Sequence, residues 1–146
     1  MNSKTLKTLE FAKVKKNLLP FVSTPMGEKQ AATLEPSSDI AEIKQRIAQT
    51  RDGADILRMK GAIPVPKLLD VSQSLKRLDI AASLNGKELA AISKVLRATN
   101  EVRRFFVKLD DDAIELISLD ELADELQVLP EVNKRLLTSI EGDGHV

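Results

Sequence analysis

The sequence predicts an all-α domain, a bundle of about six to seven helices that includes two long amphipathic ones. Apolar residues recur at intervals of three and four over long stretches, and no run alternates convincingly with period two. With 42% hydrophobic residues but four Phe, no Trp and no Tyr, the core must be built from Leu, Ile, Val and Ala, a mix suited to helix packing.

The elements follow in order. Phe11, Val14, Leu18 and Phe21 fall along one side of a helix beginning near Leu9 and interrupted by Pro20. Thr24-Pro25 is an N-cap followed by proline at the first helical position, opening a short helix through Gly27 to about Leu34. Glu35-Pro36-Ser37-Ser38 ends it. Asp39 with Glu42 has capping-box spacing, and Ile40, Ile43, Ile47, Thr50, Ala54 and Leu57 then form one long apolar stripe. Gly61 suits a left-handed C-terminal cap, and Ala62-Ile63-Pro64-Val65-Pro66 must run extended because each proline restricts its predecessor.

A further helix covers Val71 to Leu78, and Ser83-Leu84-Asn85-Gly86 turns into the second long helix, with Asn85 as cap and Glu88 in the box position. Leu89, Ile92, Leu96, Val102, Phe106 and Leu109 form its stripe, broadened by Val95 and Phe105, until Asp110-Asp111-Asp112 stops the pattern. Ala113 to Ile117 is the one weak strand candidate. Ser118 with Glu121 makes another capping box ahead of Leu119, Leu122 and Leu126. Pro130 opens a last helix with Val132, Leu136, Leu137 and Ile140 on one side, closed by Gly142-Asp143-Gly144. Together these make a single domain over 1–146: leading helices in 1–35, two long helices with a proline-containing connection in 36–109, and short helices with the start of a further connection in 110–146. The last six residues read as the start of a connection, which points to a truncated domain.

At 146 residues the chain fits one domain, which buries on the order of two-thirds of its unfolded surface. Twenty-two basic and 22 acidic residues cancel, so any polyanion contact must be local. With no cysteine there are no disulfides and no thiolate chemistry, consistent with a cytoplasmic protein, and His145 is alone. Lysines spaced through the first 20 residues leave no signal sequence or membrane span.

The chemistry motifs fail on their spacing. Gly86-Lys87 is not a phosphate loop, since Ala81 stands where the first glycine belongs and Glu88 where the hydroxyl belongs. Asp110, Asp111 and Asp112 lack the spacing of a calcium loop and read as a solvated helix stop. Ser72, Ser74, Ser93 and Ser139 have no His or Asp constellation to activate them. No catalytic, cofactor or metal residue is therefore assigned. One surface feature remains: Lys94, Arg97, Arg104 and Lys108 recur along one side of the second long helix, with Glu101 in the same row and Arg103 adjacent. The ordinary reading is a solvated face, and the sharper one is phosphate contact. Pro64-Val65-Pro66 with Lys67-Leu68-Leu69 is either a loop pinned over the core or a rigid partner-binding loop.

Several short pieces, taken in order, resemble the amino-terminal region of the bacterial MutS-two family, the paralogue of MutS. They are Leu6 through Phe11, Thr24-Pro25-Met26-Gly27, Leu34-Glu35-Pro36, Ile56 through Gly61, Leu69-Asp70-Val71, Leu75-Lys76-Arg77, Leu84 with Glu88-Leu89, and Ile140 through Gly144. The likeness covers nearly the whole chain. It departs at Lys67-Leu68, where the family tends to have glycine, and at Leu78 and Ala81-Ala82, which replace a usual alanine and glycine.

The resemblance implies a homodimer with a helical core and lever region, an ATPase domain that binds ATP and Mg, and a carboxy-terminal Smr nuclease domain. The ATPase and nuclease parts are absent from this sequence. It further implies branched DNA or the ribosome as partners, suppression of recombination or splitting of collided ribosomes as roles, no membrane, and no mismatch reading. On this view the chain is a non-catalytic segment whose long helices couple a distant ATPase to a nucleic-acid clamp, with Ile40, Ile43, Ile47, Leu57, Leu89, Ile92, Leu96 and Phe106 as packing seams. A free-standing helical adaptor and an independent nucleic-acid binder are the competing readings.

Overall fold

A computed structural model of the chain describes residues 2–141; the expected Gly142-Asp143-Gly144 stop, the end of the last resembling piece and His145 lie outside them. Among the described residues the chain is all helical, with no strand. Helices α1 (Ser3–Thr8) and α2 (Phe11–Leu18), a 3-10 turn (Leu19–Phe21) and α3 (Pro25–Ala32) lead into the long α4 (Ile40–Lys60). Then come α5 (Ser72–Asp79), the longer α6 (Gly86–Asp111), α7 (Leu119–Asp124) and α8 (Pro130–Glu141). These eight helices exceed the six to seven expected, chiefly because the leading helix is two. Asn2 caps α1 by accepting from the Thr5 amide at 2.8 Å, and Glu10, left-handed at φ 54°, separates α1 from α2. The apolar side expected there is largely exposed, Phe21 most of all.

The caps show which local rules hold. Thr24 accepts from the Gly27 amide at 3.1 Å with Pro25 at the first position. Gly61 closes α4 at φ 83°, its N–H donating to Leu57. Asn85 and Glu88 form a complete capping box at the start of α6 (2.9 and 2.8 Å). The Asp39 box is only half made. Asp39 Oδ1 accepts from Ala41 at 2.9 Å, but the Glu42 carboxylate goes to the Ser37 hydroxyl and to Arg46. Ser37 Oγ in turn accepts from the Asp39 amide at 3.1 Å, relaying the missing half.

Two expectations fail just after α6. The Ala113 to Ile117 segment is a loop, and the Ser118 side chain makes no cap to α7. Both failures have one cause. Asp52, from the middle of α4, accepts from the amides of Ile117 (2.9 Å), Ser118 (2.7 Å) and Leu119 (2.8 Å), doing the work of the cap from a distant helix and drawing the loop out of any strand.

The same contact sets which side of α4 is inside. Ile56 is 0% and Asp52 1% exposed, whereas Ile40, Ile47 and Leu57 of the expected seam are 67%, 56% and 55% exposed. At about 100° per residue, positions 52 and 56 lie on roughly the opposite side of α4 from that stripe. The seam on α6 holds: Leu89, Ile92, Leu96 and Phe106 are half-buried and Leu109 is fully buried. Helix α6 packs against α7 and α8, and α4 meets α7. Lys60 at the end of α4 pairs with Asp112 at the end of α6 (2.6 Å), and Lys29 of α3 pairs with Asp70 (2.9 Å). Between α4 and α5 the chain forms no regular element and is not extended throughout: the Val65 amide donates to the Ile63 carbonyl at 2.8 Å, a tight turn centred on Pro64, with Ile63, Pro64, Pro66 and Leu68 half-buried and Val71 buried.

Candidate functional site

Helix α6 is fixed at its start by the capping box, and Glu88 also takes the guanidinium of Arg77 from α5. Against its Leu89, Ile92 and Leu96 side lies α8, whose Leu136, Leu137 and Ile140 are half-buried. Deep between the two helices, Ser93 is buried and reaches Asn133 Oδ1 at 3.5 Å. Above it a cleft of about 440 Å³ opens between α6, α8 and the chain entering α8. Its floor is aliphatic: Leu96, Val128, Leu129, Pro130 and Leu137. Asn100 and Arg104 stand on the α6 wall, Asn133 and Lys134 on the α8 wall, and no carboxylate among the described side chains lines it.

The structure divides the basic row. Lys94, Arg97, Arg104 and Lys108 are exposed, and so is Glu101 between them. Arg104 reaches the cleft. Arg103 is half-buried and turned to α7, where Nη1 donates to the Ala123 carbonyl at 3.2 Å and to Asp124 Oδ1 at 3.1 Å. It tethers a helix and does not share the outward face of the row. Asn133 and Lys134, absent from the sequence reading, join Arg104 only because α8 packs on α6. Their one signal is that Lys134, Leu137 and Thr138 recur at helical spacing beyond Pro130.

Toward the end of α6, a second cleft of about 340 Å³ is bordered by Asp110, Glu115, Asp120 and Asp124 with Arg103 among them. Among the described residues no group of three or more His, Cys, Asp or Glu side chains is placed to hold a metal ion. Asp112 is held below the usual carboxylate range by its hydrogen bond and charge pairing with Lys60. Asp70 is held well below it by the hydroxyl and amide of Ser72 and by Lys29, and Glu42 is lowered chiefly by Ser37. These are paired structural carboxylates, none poised as a general base at neutral pH.

Burial pushes the Asp52 carboxyl up, but the three amides of Ile117, Leu119 and Ser118 outweigh it and leave the group below its ordinary value. At Gly86-Lys87 the chain opens α6, with the Glu88 amide donating to Asn85 Oδ1 and the Glu88 carboxylate accepting from the Asn85 amide.

The chain is similar over its whole length to proteins named Endonuclease MutS2. That of Ligilactobacillus salivarius is 59% identical over 146 residues, that of Pediococcus pentosaceus 47% over 146, and that of Lactiplantibacillus plantarum 46% over 149. In each case the match takes in 100% of this chain and 19% of the relative, so the chain spans about a fifth of the length of the curated relatives it matches. No protein-family model matches it. No helix among the described residues is long and apolar enough to cross a membrane.

Proposed function

Since the chain belongs to the MutS2 family, as a segment about one-fifth the length of its relatives, we propose that it is a non-catalytic helical element transmitting movement between other parts of a MutS2 endonuclease. The observation that supports this reading most is the outward stripe of α4. Ile40, Ile47 and Leu57 stand exposed along one side of a 21-residue helix whose other side is clipped to α7 through Asp52. A long helix held on one side and apolar on the other is suited to move as a unit when a neighbour docks on it.

In the whole protein we assign ATP with magnesium to an ATPase domain and strand cleavage to an Smr domain, both outside this segment. Homodimerisation and a cytoplasmic setting belong to the same reading. So do action on branched DNA or collided ribosomes and suppression of recombination, all carried over from the family resemblance.

The test pairs this chain with the Ligilactobacillus salivarius MutS2 from which the matching residues have been deleted. The purified chain is expected to hydrolyse no ATP and cleave no branched DNA, yet to associate with the deleted protein in sedimentation. Ile40→Asp with Ile47→Asp is expected to weaken that association while leaving the helical spectrum intact. Turnover by the chain alone, or absence of association, rejects the proposal.

A further inference from the structure

We propose that the cleft between α6 and α8 is a docking site for an acidic, aliphatic peptide segment of a partner protein. Such a segment would seat a leucine-like side chain on Leu96, Val128 and Leu137 and place a carboxylate at each of Arg104 and Lys134. This goes beyond the transmission role and does not depend on it.

Charge complementarity makes the first argument. Arg104 and Lys134 face one cleft from its two walls, and neither is engaged in an ion pair among the described residues, although Arg103, one position away, is. No acid among the described side chains lines the cleft to neutralise them. Two cations separated by an aliphatic floor match two carboxylates flanking an aliphatic side chain, because each pairing is charge-assisted while the apolar body leaves water. Asn100 and the Asn133 amide NH2, which has no hydrogen-bond partner among the described residues, supply neutral donors for the segment's backbone carbonyls.

The same lining disfavours a nucleic-acid strand. A phosphate backbone has nothing to place on Leu96, Val128, Leu129, Pro130 and Leu137, and no aromatic ring among the described residues lines the cleft to stack a base. Glu101 stands exposed in the row of Lys94, Arg97, Arg104 and Lys108 and breaks the continuous cation track that successive phosphates require.

The probe is a fluorescein-labelled peptide with the sequence of residues 119–127 of this chain, Leu-Asp-Glu-Leu-Ala-Asp-Glu-Leu-Gln, which has the required alternation of leucine and acid. Anisotropy with the 146-residue chain is expected to show saturable binding, with amide shifts at Asn100, Asn133 and Leu137. Arg104→Glu with Lys134→Glu is expected to lower affinity about tenfold or more. A peptide with lysine at its four acidic positions is expected to bind this variant better than it binds the unaltered chain. Arg104→Gln with Lys134→Gln, a milder change at two exposed side chains, gives an intermediate loss if the charges act as argued. Equal binding of the acidic peptide and its amide counterpart overturns the proposal. So does an oligonucleotide duplex that shifts the same amides where the acidic peptide shifts none.

Discussion

Asp52 caps the helix that Ser118 was placed to cap. The Asp52 carboxylate accepts from the Ser118 amide at 2.7 Å while the Ser118 hydroxyl makes no bond to the first turn of α7. Two residues 66 positions apart in the chain thereby lock α4 to α7. Asp52→Ala leaves the amides of Ile117, Ser118 and Leu119 without acceptors in a buried place, and we expect it to lower stability by about 3 kcal/mol in urea unfolding. Ser118→Ala removes no capping bond and is expected to stay within about 0.5 kcal/mol. Equal losses from the two substitutions would show that the cap is local after all.

The same carboxylate makes stability pH-dependent in a defined direction. Its folded pKa lies below the ordinary value, so its contribution is fully present above the unfolded pKa of about 4 and is lost as pH falls from there through the folded pKa. The stability gap between the unaltered chain and Asp52→Asn is therefore expected to be constant from neutral pH to about pH 5 and to narrow below about pH 4. Urea midpoints of both proteins across that range check it, and a gap that widens in acid would reverse the sign of the argument.

The spacing of three and four found the long helices but chose the wrong side of α4. Ile40, Ile43, Ile47 and Leu57 do form a stripe, yet burial falls on Ile56 and Asp52, because the loop after α6 docks there and supplies amides that the Asp52 carboxylate accepts. A buried aspartate in the middle of a helix has no signature in periodicity, which counts only apolar positions. Ile56→Ala is accordingly expected to cost about 2–4 kcal/mol and Ile47→Ala less than about 1 kcal/mol. Thermal unfolding of the two variants separates the sides.

The cleft was legible only in part, for a related reason. Arg104 lies in a visible row of cations on one helix, where i, i+3 and i+4 spacing is enough to place it. Its partners Asn133 and Lys134 come from α8, 29 and 30 positions later, and reach it through the packing of two apolar sides. Arg103 shows the converse. Spacing set it beside the row, and the Ala123 carbonyl and Asp124 drew it to α7.

Two helix ends store strain at alanines. After α5, Ala81 is left-handed at φ 59° while the Ala82 amide donates to the Arg77 carbonyl (2.9 Å) and the Ala81 amide to Leu78 (2.9 Å). After α6, Ala113 at φ 57° is the centre of the same pattern, with Ile114 donating to Leu109 (3.0 Å) and Ala113 to Asp110 (3.0 Å). Both are Schellman closures, in which glycine is the usual residue because it has no Cβ to crowd the carbonyl. Gly61 made the end of α4 visible in the sequence; alanine concealed these two. Removing the Cβ relieves a left-handed penalty of roughly 1–2 kcal/mol, against which the added freedom of the unfolded chain sets about 0.5–1 kcal/mol. Ala81→Gly and Ala113→Gly are each expected to raise the free energy of unfolding by about 0.5–1 kcal/mol, read from urea unfolding, and to add in the double variant because the two closures share no bond. Loss of stability at either position would mean that its left-handed turn is not the conformation adopted in solution.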